Sequence, residues 1–211
     1  MLYILHTDLE TGVKSFFKKG ILEAGVDEAG RGCLAGPVFA AAVILPKGFK
    51  NPGIDDSKKL NKKERERLRG VIEKKALHWA VASCTPAEID YYNILWASVK
   101  AMHFALDKIT TTPDLILVDG NKFRPYNEVK HRCIVDGDAL FLSIAAASIL
   151  AKTYRDEYME KLHEEFPQYN WFSNKGYPTP EHKQALRLYG DCPHHRKSFQ
   201  WNVPEQGVLF D

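Results

Sequence analysis

Gly20-Ile-Leu-Glu-Ala-Gly-Val-Asp-Glu-Ala-Gly-Arg-Gly-Cys-Leu-Ala-Gly-Pro-Val-Phe-Ala-Ala-Ala-Val-Ile-Leu45 holds two apolar runs on either side of a glycine-rich turn. The first run, 20–26, predicts a strand leading into two adjacent carboxylates, Asp27 and Glu28. The second, 37–45, predicts a buried strand closed by Pro46. Together they predict a hairpin with acids near its turn. Adjacent like charges at the end of an apolar strand repel unless a cation or solvent compensates them, and clustered acids there suit a divalent metal with oxygen ligands. The glycine-flanked Arg31 sits on a backbone bare enough for a phosphodiester or sugar to come close. Metal-dependent chemistry on a nucleic acid is the expectation.

Working outward, Asn61 with Glu64 and Thr85 with Glu88 match capping boxes, and Pro86 suits a first helical position. Apolar spacing predicts a helix over 93–109, ended by Pro113, and then a strand over 115–118 that delivers Asp119 and Gly120. After Cys133-Ile-Val135 the turn Asp136-Gly-Asp138 leads into a long helix, apolar to Ala151 and charged to Glu165, with Asp138 at its entrance. Thr179 and Pro180 open the last helix. Strands alternating with helices predict an α/β domain with a mixed sheet.

Composition narrows the function classes. At 211 residues and 45% hydrophobic content the chain supports one main domain with a C-terminal extension, and a net charge of +2 is too mild to prove a polyanionic partner. The four cysteines lack CxxC pairing and the N-terminal stretch is too short and acidic for a signal peptide, which predicts a cytoplasmic chain with reduced thiols. The longest apolar run, 139–151, falls short of the ~20 residues a bilayer span needs, so no membrane role is expected. The glycines imitate a P-loop without its lysine and following Ser/Thr, and no convincing helix follows them as a Rossmann turn requires. Cys192 beside His194 and His195 lacks a second ligand pair, so zinc is not expected.

Each acid taken alone has a plainer role as a turn or cap residue. Ser57, Lys58 and Lys59, followed by Lys62, Lys63, Arg65, Arg67 and Arg69, make a basic surface beside a helix start, suited to phosphates. From Lys62 onward a solvated helix face explains the charges equally well. His195, Arg196 and Lys197 could hold phosphate or cap the fold.

A resemblance covers roughly residues 21–199. Val26-Asp-Glu-Ala-Gly-Arg-Gly32, Asp56-Ser-Lys-Lys-Leu60, Val118-Asp-Gly120, Gly137-Asp138, Ala146-Ala-Ser-Ile-Leu-Ala-Lys152 with Arg155-Asp156, Lys175-Gly-Tyr-Pro-Thr179 and His195-Arg-Lys-Ser-Phe199 resemble, in that order, bacterial ribonuclease HII. The resemblance implies a ribonuclease H-like α/β fold, a mixed central sheet flanked by helices with a small C-terminal helical extension. It implies an endonuclease for RNA/DNA hybrids that also cuts 5′ of single ribonucleotides in duplex DNA, leaving 5′-phosphate and 3′-hydroxyl ends. By the same resemblance Asp27, Glu28, Asp119 and Asp138 hold Mn²⁺ or Mg²⁺ for two-metal hydrolysis. Gly30, Arg31 and Gly32 meet the ribose 2′-hydroxyl through their backbone, Tyr177 stacks on the following sugar, and Ser57, Lys58 and Lys59 contact the substrate backbone. The expected organisation is a catalytic domain over 1–199, its helical extension over about 165–199, and a tail over 200–211, in a monomer.

Two positions depart from the family pattern. Cys33 stands where proline is common, and Asp136 stands where a basic residue usually precedes the Gly-Asp pair, so Asp136 competes with Asp138 as fourth ligand. The tail, with Gln206, Leu209 and Phe210, is similar to peptides that dock on the DNA sliding clamp, though a tail folded back on the enzyme would also cover its apolar side chains. Two rivals remain at this point: a junction-binding protein that does not cut, and another nuclease on the same fold.

Overall fold

Five strands, β1 (Glu23–Ala29), β2 (Val38–Ile44), β3 (His78–Cys84), β4 (Leu115–Asp119) and β5 (Lys130–Ile134), form one sheet ordered β3-β2-β1-β4-β5. The computed structural model describes residues 13–54 and 60–200. β1 pairs antiparallel with β2 and parallel with β4, β2 pairs antiparallel with β3, and β4 pairs parallel with β5. The sheet is therefore mixed, as expected. Val26 lies opposite Val118 in the β1–β4 register, so Asp27 and Asp119, one residue further along parallel strands, end at the same level.

The hairpin of β1 and β2 forms, but β1 starts three residues later than the apolar run and takes in both acids. Strand alternation then separates the faces. Ala24 and Val26 pack with Ala97, Ala101 and Ala105 of α3 (Ile94–Asp107), while Ala41 and Val43 of β2 pack with Ala145 to Ala147 of α4 (Leu142–Glu165) and with Leu68 and Ile72 of α1 (Lys62–Lys75). Gly25 sits on the α4 side so closely that a Cβ there would lie 2.2 Å from the Ser143 carbonyl carbon. That approach explains a glycine within an otherwise apolar strand, and it puts Asp27, two residues on, on the α4 face.

Both predicted capping boxes are present, at Asn61 of α1 and at Thr85 of α2 (Pro86–Tyr92), each contributing about 1 kcal/mol to its helix. Asn93, at φ 62, separates α2 from α3, and its side chain accepts the Trp96 N–H. The long helix begins later than expected. Gly137–Ala139 forms a single 3-10 turn carrying Asp138, and α4 starts only at Leu142. After α4 come a 3-10 turn (Pro167–Tyr169), α5 (Trp171–Asn174) and α6 (Pro180–Tyr189), capped by Thr179 as predicted. Tyr169, Trp171, Ala185 and Leu186 pack on Met159 and Leu162 of α4 and on Leu34 and Ala35 of the β1–β2 loop. No helix of the described residues is long and apolar enough to cross a membrane.

Candidate active site

Asp27 is buried, and its carboxylate accepts the Glu28 N–H at 2.6 Å and a hydrogen bond from the Ser148 side chain of α4. Burial, then the charge of Glu28, then that of Asp119 push its pKa well above the usual carboxylate range. Burial also raises Glu28, opposed by Arg31, whose Nη1 donates to Glu28 Oε1 at 3.0 Å, and reinforced by Asp119. Asp119 ends β4 and accepts the Gly137 N–H at 2.8 Å. The charges of Glu28 and Asp119 thus raise the cost of ionising Asp27, and that of Asp119 the cost of ionising Glu28, at the ends of two neighbouring strands.

A hard divalent cation would relieve that repulsion, and carboxylate oxygens are the ligands Mg²⁺ and Mn²⁺ take. The donor set fits such an ion. As they stand, the acids are held by protein donors, and among the described residues no three His, Cys, Asp or Glu side chains already form a metal-holding group.

Asp27, Glu28 and Asp119 share one cleft with Gly30, Arg31, Gly32 and Tyr177. Arg65, Ser148 and Lys152 line it too. Gly30 takes φ +95, and a Cβ there would fall 1.9 Å from Arg155 Nε, so only glycine fits. Tyr177 is 38% exposed, with Lys152 Nζ 5.5 Å and Arg155 Cζ 5.9 Å from its ring centroid. Burial and the neighbouring Cys33 raise its hydroxyl pKa, so the hydroxyl stays protonated and able to donate.

The profile of the ribonuclease HII family matches residues 24–202. The chain belongs to the ribonuclease HII family. It is similar to ribonuclease HII of Christiangramia forsetii, 58% identical over 91% of this chain and 96% of that one, and of Parabacteroides distasonis, 56% identical over 92% and 97%. Among solved structures it resembles ribonuclease H2 of Pyrococcus horikoshii, at TM-score 0.74 and 27% identity over 86% of this chain and 95% of that one. It also shares its fold with the ribonuclease HII solved in a PCNA complex from Archaeoglobus fulgidus, at TM-score 0.70 and 24% identity over 85% and 96%. The chain is a ribonuclease H endonuclease with the ribonuclease H-like α/β fold, which removes the non-catalytic binding protein as a rival.

Asp138 is buried in the 3-10 turn one residue beyond Gly137 and does not line the cleft, whereas Asp136 is exposed at φ 52. Ser57, Lys58 and Lys59 lie outside the described residues, as do Gln206, Leu209 and Phe210. Of the cations from Lys62 onward, Arg65 lines the cleft, while Lys62 and Arg69 are paired with carboxylates. Lys62 pairs with Glu160 at 2.6 Å, Arg69 pairs with Glu73 at 2.7 Å and Glu157 at 2.8 Å, and Arg69 stacks on Tyr154. They tie α1 to α4. Arg196 and His195 are buried and unavailable to phosphate from solvent.

The sequence by itself gives Ser148 and Lys152 no role in the site. Their spacing of four, continued by Asp156, marks one face of α4 and was the signal available. Lys152 Nζ donates to Asp156 Oδ1 at 2.8 Å, which anchors its ammonium beside the cleft.

Proposed function

We propose that the chain hydrolyses the RNA strand of RNA/DNA hybrids and cuts 5′ of single ribonucleotides embedded in duplex DNA, leaving 5′-phosphate and 3′-hydroxyl ends. The observation that carries this reading is the shared cleft: the buried Asp27 and the half-buried Glu28 and Asp119 beside the Gly30-Arg31-Gly32 turn, exposed at Arg31 and Gly32, and the Tyr177 ring. All-DNA substrate has no 2′-hydroxyl for such a backbone to read.

Asp27, Glu28 and Asp119, with Asp138 as the fourth acid, would hold Mg²⁺ or Mn²⁺. Two such ions supply charge for water activation and for the departing 3′-oxygen. Ser148 and the Glu28 amide orient the Asp27 carboxylate, and the Gly137 amide orients that of Asp119. Arg31 holds Glu28 at the cleft edge. Tyr177 presents a ring for a sugar face and a protonated hydroxyl, while Lys152 offers a cation to a phosphate entering beside it. The burial of Asp138 beside the Asp119–Gly137 contact favours it over the exposed Asp136.

The catalytic unit is taken as 1–199, with the helices after α4 as an extension that shapes the cleft through Tyr177. The tail over 200–211 is assigned to clamp docking through Gln206, Leu209 and Phe210. That assignment rests on the tail sequence, with the archaeal PCNA complex as a precedent on the same fold. A chain lacking 206–211 should lose clamp binding and keep cleavage of short duplexes.

The test of the reaction is a panel of end-labelled duplexes, all-DNA, RNA/DNA hybrid, and DNA with one ribonucleotide, incubated with Mg²⁺, Mn²⁺ or EDTA. Metal-dependent cutting of the hybrid and of the single site, with the all-DNA duplex spared, is the expected pattern. Equal cutting of all-DNA duplex would support another nuclease on this fold instead.

A further inference from the structure

Arg196 is 2% exposed, and its guanidinium donates to three main-chain carbonyls of one loop: Nη2 to Gly30 at 2.7 Å, Nη1 to Arg31 at 2.9 Å and Nε to Gly36 at 3.0 Å. Its own N–H donates to the Leu34 carbonyl at 2.8 Å. Among the described residues no carboxylate forms an ion pair with it. A buried cation is costly unless well hydrogen-bonded, and here the compensation comes from the β1–β2 loop.

The consequence lies on the other side of those peptide groups. The peptides are trans, so each C=O and its N–H point in opposite directions. Turning the Gly30 and Arg31 carbonyls inward to Arg196 turns the N–H groups of Arg31 and Gly32 away from it. Both residues are exposed and line the cleft, and among the described residues neither amide donates within the chain.

We propose that Arg196 is the positioning residue for ribonucleotide discrimination: by holding the Gly30 and Arg31 carbonyls it presents the Arg31 and Gly32 amides to the ribose 2′-hydroxyl. This inference rests on the reading of the cleft given above. Arg155 has the companion task, donating to Ala35, Pro37 and Lys175 carbonyls at 3.1, 3.1 and 2.9 Å and so fixing the loop to the segment that carries Tyr177. Lysine cannot replace Arg196, because one ammonium cannot span three carbonyls as the planar fork does.

A hydrogen-bond chain supports the segment from behind. The Cys192 N–H donates to His195 Nδ1 at 3.0 Å, so His195 carries its proton on Nε2 and faces His182 Nε2 at 3.1 Å. The Trp171 indole also donates to His182 Nε2, leaving the Nδ1 proton of His182 for the Tyr177 carbonyl at 2.9 Å. Arg196 thus holds the Gly30–Gly32 loop, while its neighbour His195 connects through His182 to the Tyr177 segment.

The test measures binding in an Asp27→Asn background, which stops cutting, to matched duplexes holding one ribonucleotide or the corresponding deoxynucleotide. Arg196→Ala and Arg196→Lys should each lower the ratio of the two affinities by about tenfold, the worth of one or two hydrogen bonds. Added guanidinium ion should restore part of the ratio in Arg196→Ala and none in Arg196→Lys, a response that mere loss of packing would not give. Arg196→Lys keeps the buried charge and decides the matter if Arg196→Ala does not fold. Unchanged discrimination in a folded variant overturns the inference alone. Absence of discrimination in the parent protein overturns the reading of the cleft, and the inference with it.

Discussion

The Asp119 carboxylate accepts the Gly137 N–H at 2.8 Å, which ties the end of β4 to the turn carrying Asp138. Two acids nineteen positions apart in sequence are thereby joined through one amide, without relying on the sheet. Gly137 has little room. A Cβ there would lie 2.6 Å from Ile144 Cδ1 and 3.3 Å from Asp119 Oδ1.

Gly137→Ala should therefore cost about 1–3 kcal/mol of stability by overpacking and should lower metal-dependent cleavage further than that loss explains. Denaturant melts and turnover of the same preparation check this. Normal turnover would separate the Asp119–Gly137 contact from function.

Divalent ions should stabilise the protein through Asp27. Its raised pKa means the folded state resists ionising it, so its contribution to stability falls as pH rises past the ordinary carboxylate value. In EDTA at neutral pH, Asp27→Asn should melt higher than the parent. Mn²⁺ or Mg²⁺ at ~100 times Kd should then stabilise the parent by about 2.7 kcal/mol and the variant by much less. Thermal melts with and without metal give the answer.

The helices after α4 should loosen in acid. Burial and the charge of His182 pull His195 down to about 4 from an ordinary value near 6.5, and burial lowers His182 as well. The unfolded chain then binds more protons between those values, so the stabilisation is complete above about 6.5 and lost as pH falls toward 4. Hydrogen exchange at α6 amides should rise across that window, and His195→Gln should flatten the rise.

Arg69 serves the scaffold. Its removal as Arg69→Ala should cost about 1–2 kcal/mol, from the Tyr154 stack and the pairs with Glu73 and Glu157, and leave duplex affinity unchanged. A weaker, less salt-sensitive duplex complex would return this face to the substrate.

Much of this could be read before the structure because it is written in local chemistry. Asn61, Thr85 and Thr179 cap their helices through bonds to residues three positions away, and the apolar runs around Asp27 and Asp119 mark buried strands. The sequence hides β3, whose alternation begins with the half-buried His78 and Trp79, and β5, because Lys130-His-Arg-Cys-Ile134 is a mostly exposed edge. The α4 helix starts later than its apolar sequence predicts, since the apolar character of 139–141 does not reveal a 3-10 turn ended at Leu140. By sequence alone Arg196 suits a phosphate or a cap. A charge whose partners are carbonyls 160 or more positions away leaves no trace in its own neighbourhood of sequence.

Whether the carboxylates of this cleft cut beside a ribonucleotide is decided by giving an end-labelled duplex with one ribonucleotide to the parent protein and to Asp27→Asn. The parent should make a single metal-dependent cut 5′ of the ribonucleotide. Asp27→Asn should lose about a thousandfold or more in turnover, since metal-borne charge stabilisation is worth several kcal/mol, while it still binds the duplex. Near-normal turnover by Asp27→Asn would contradict cutting by these carboxylates.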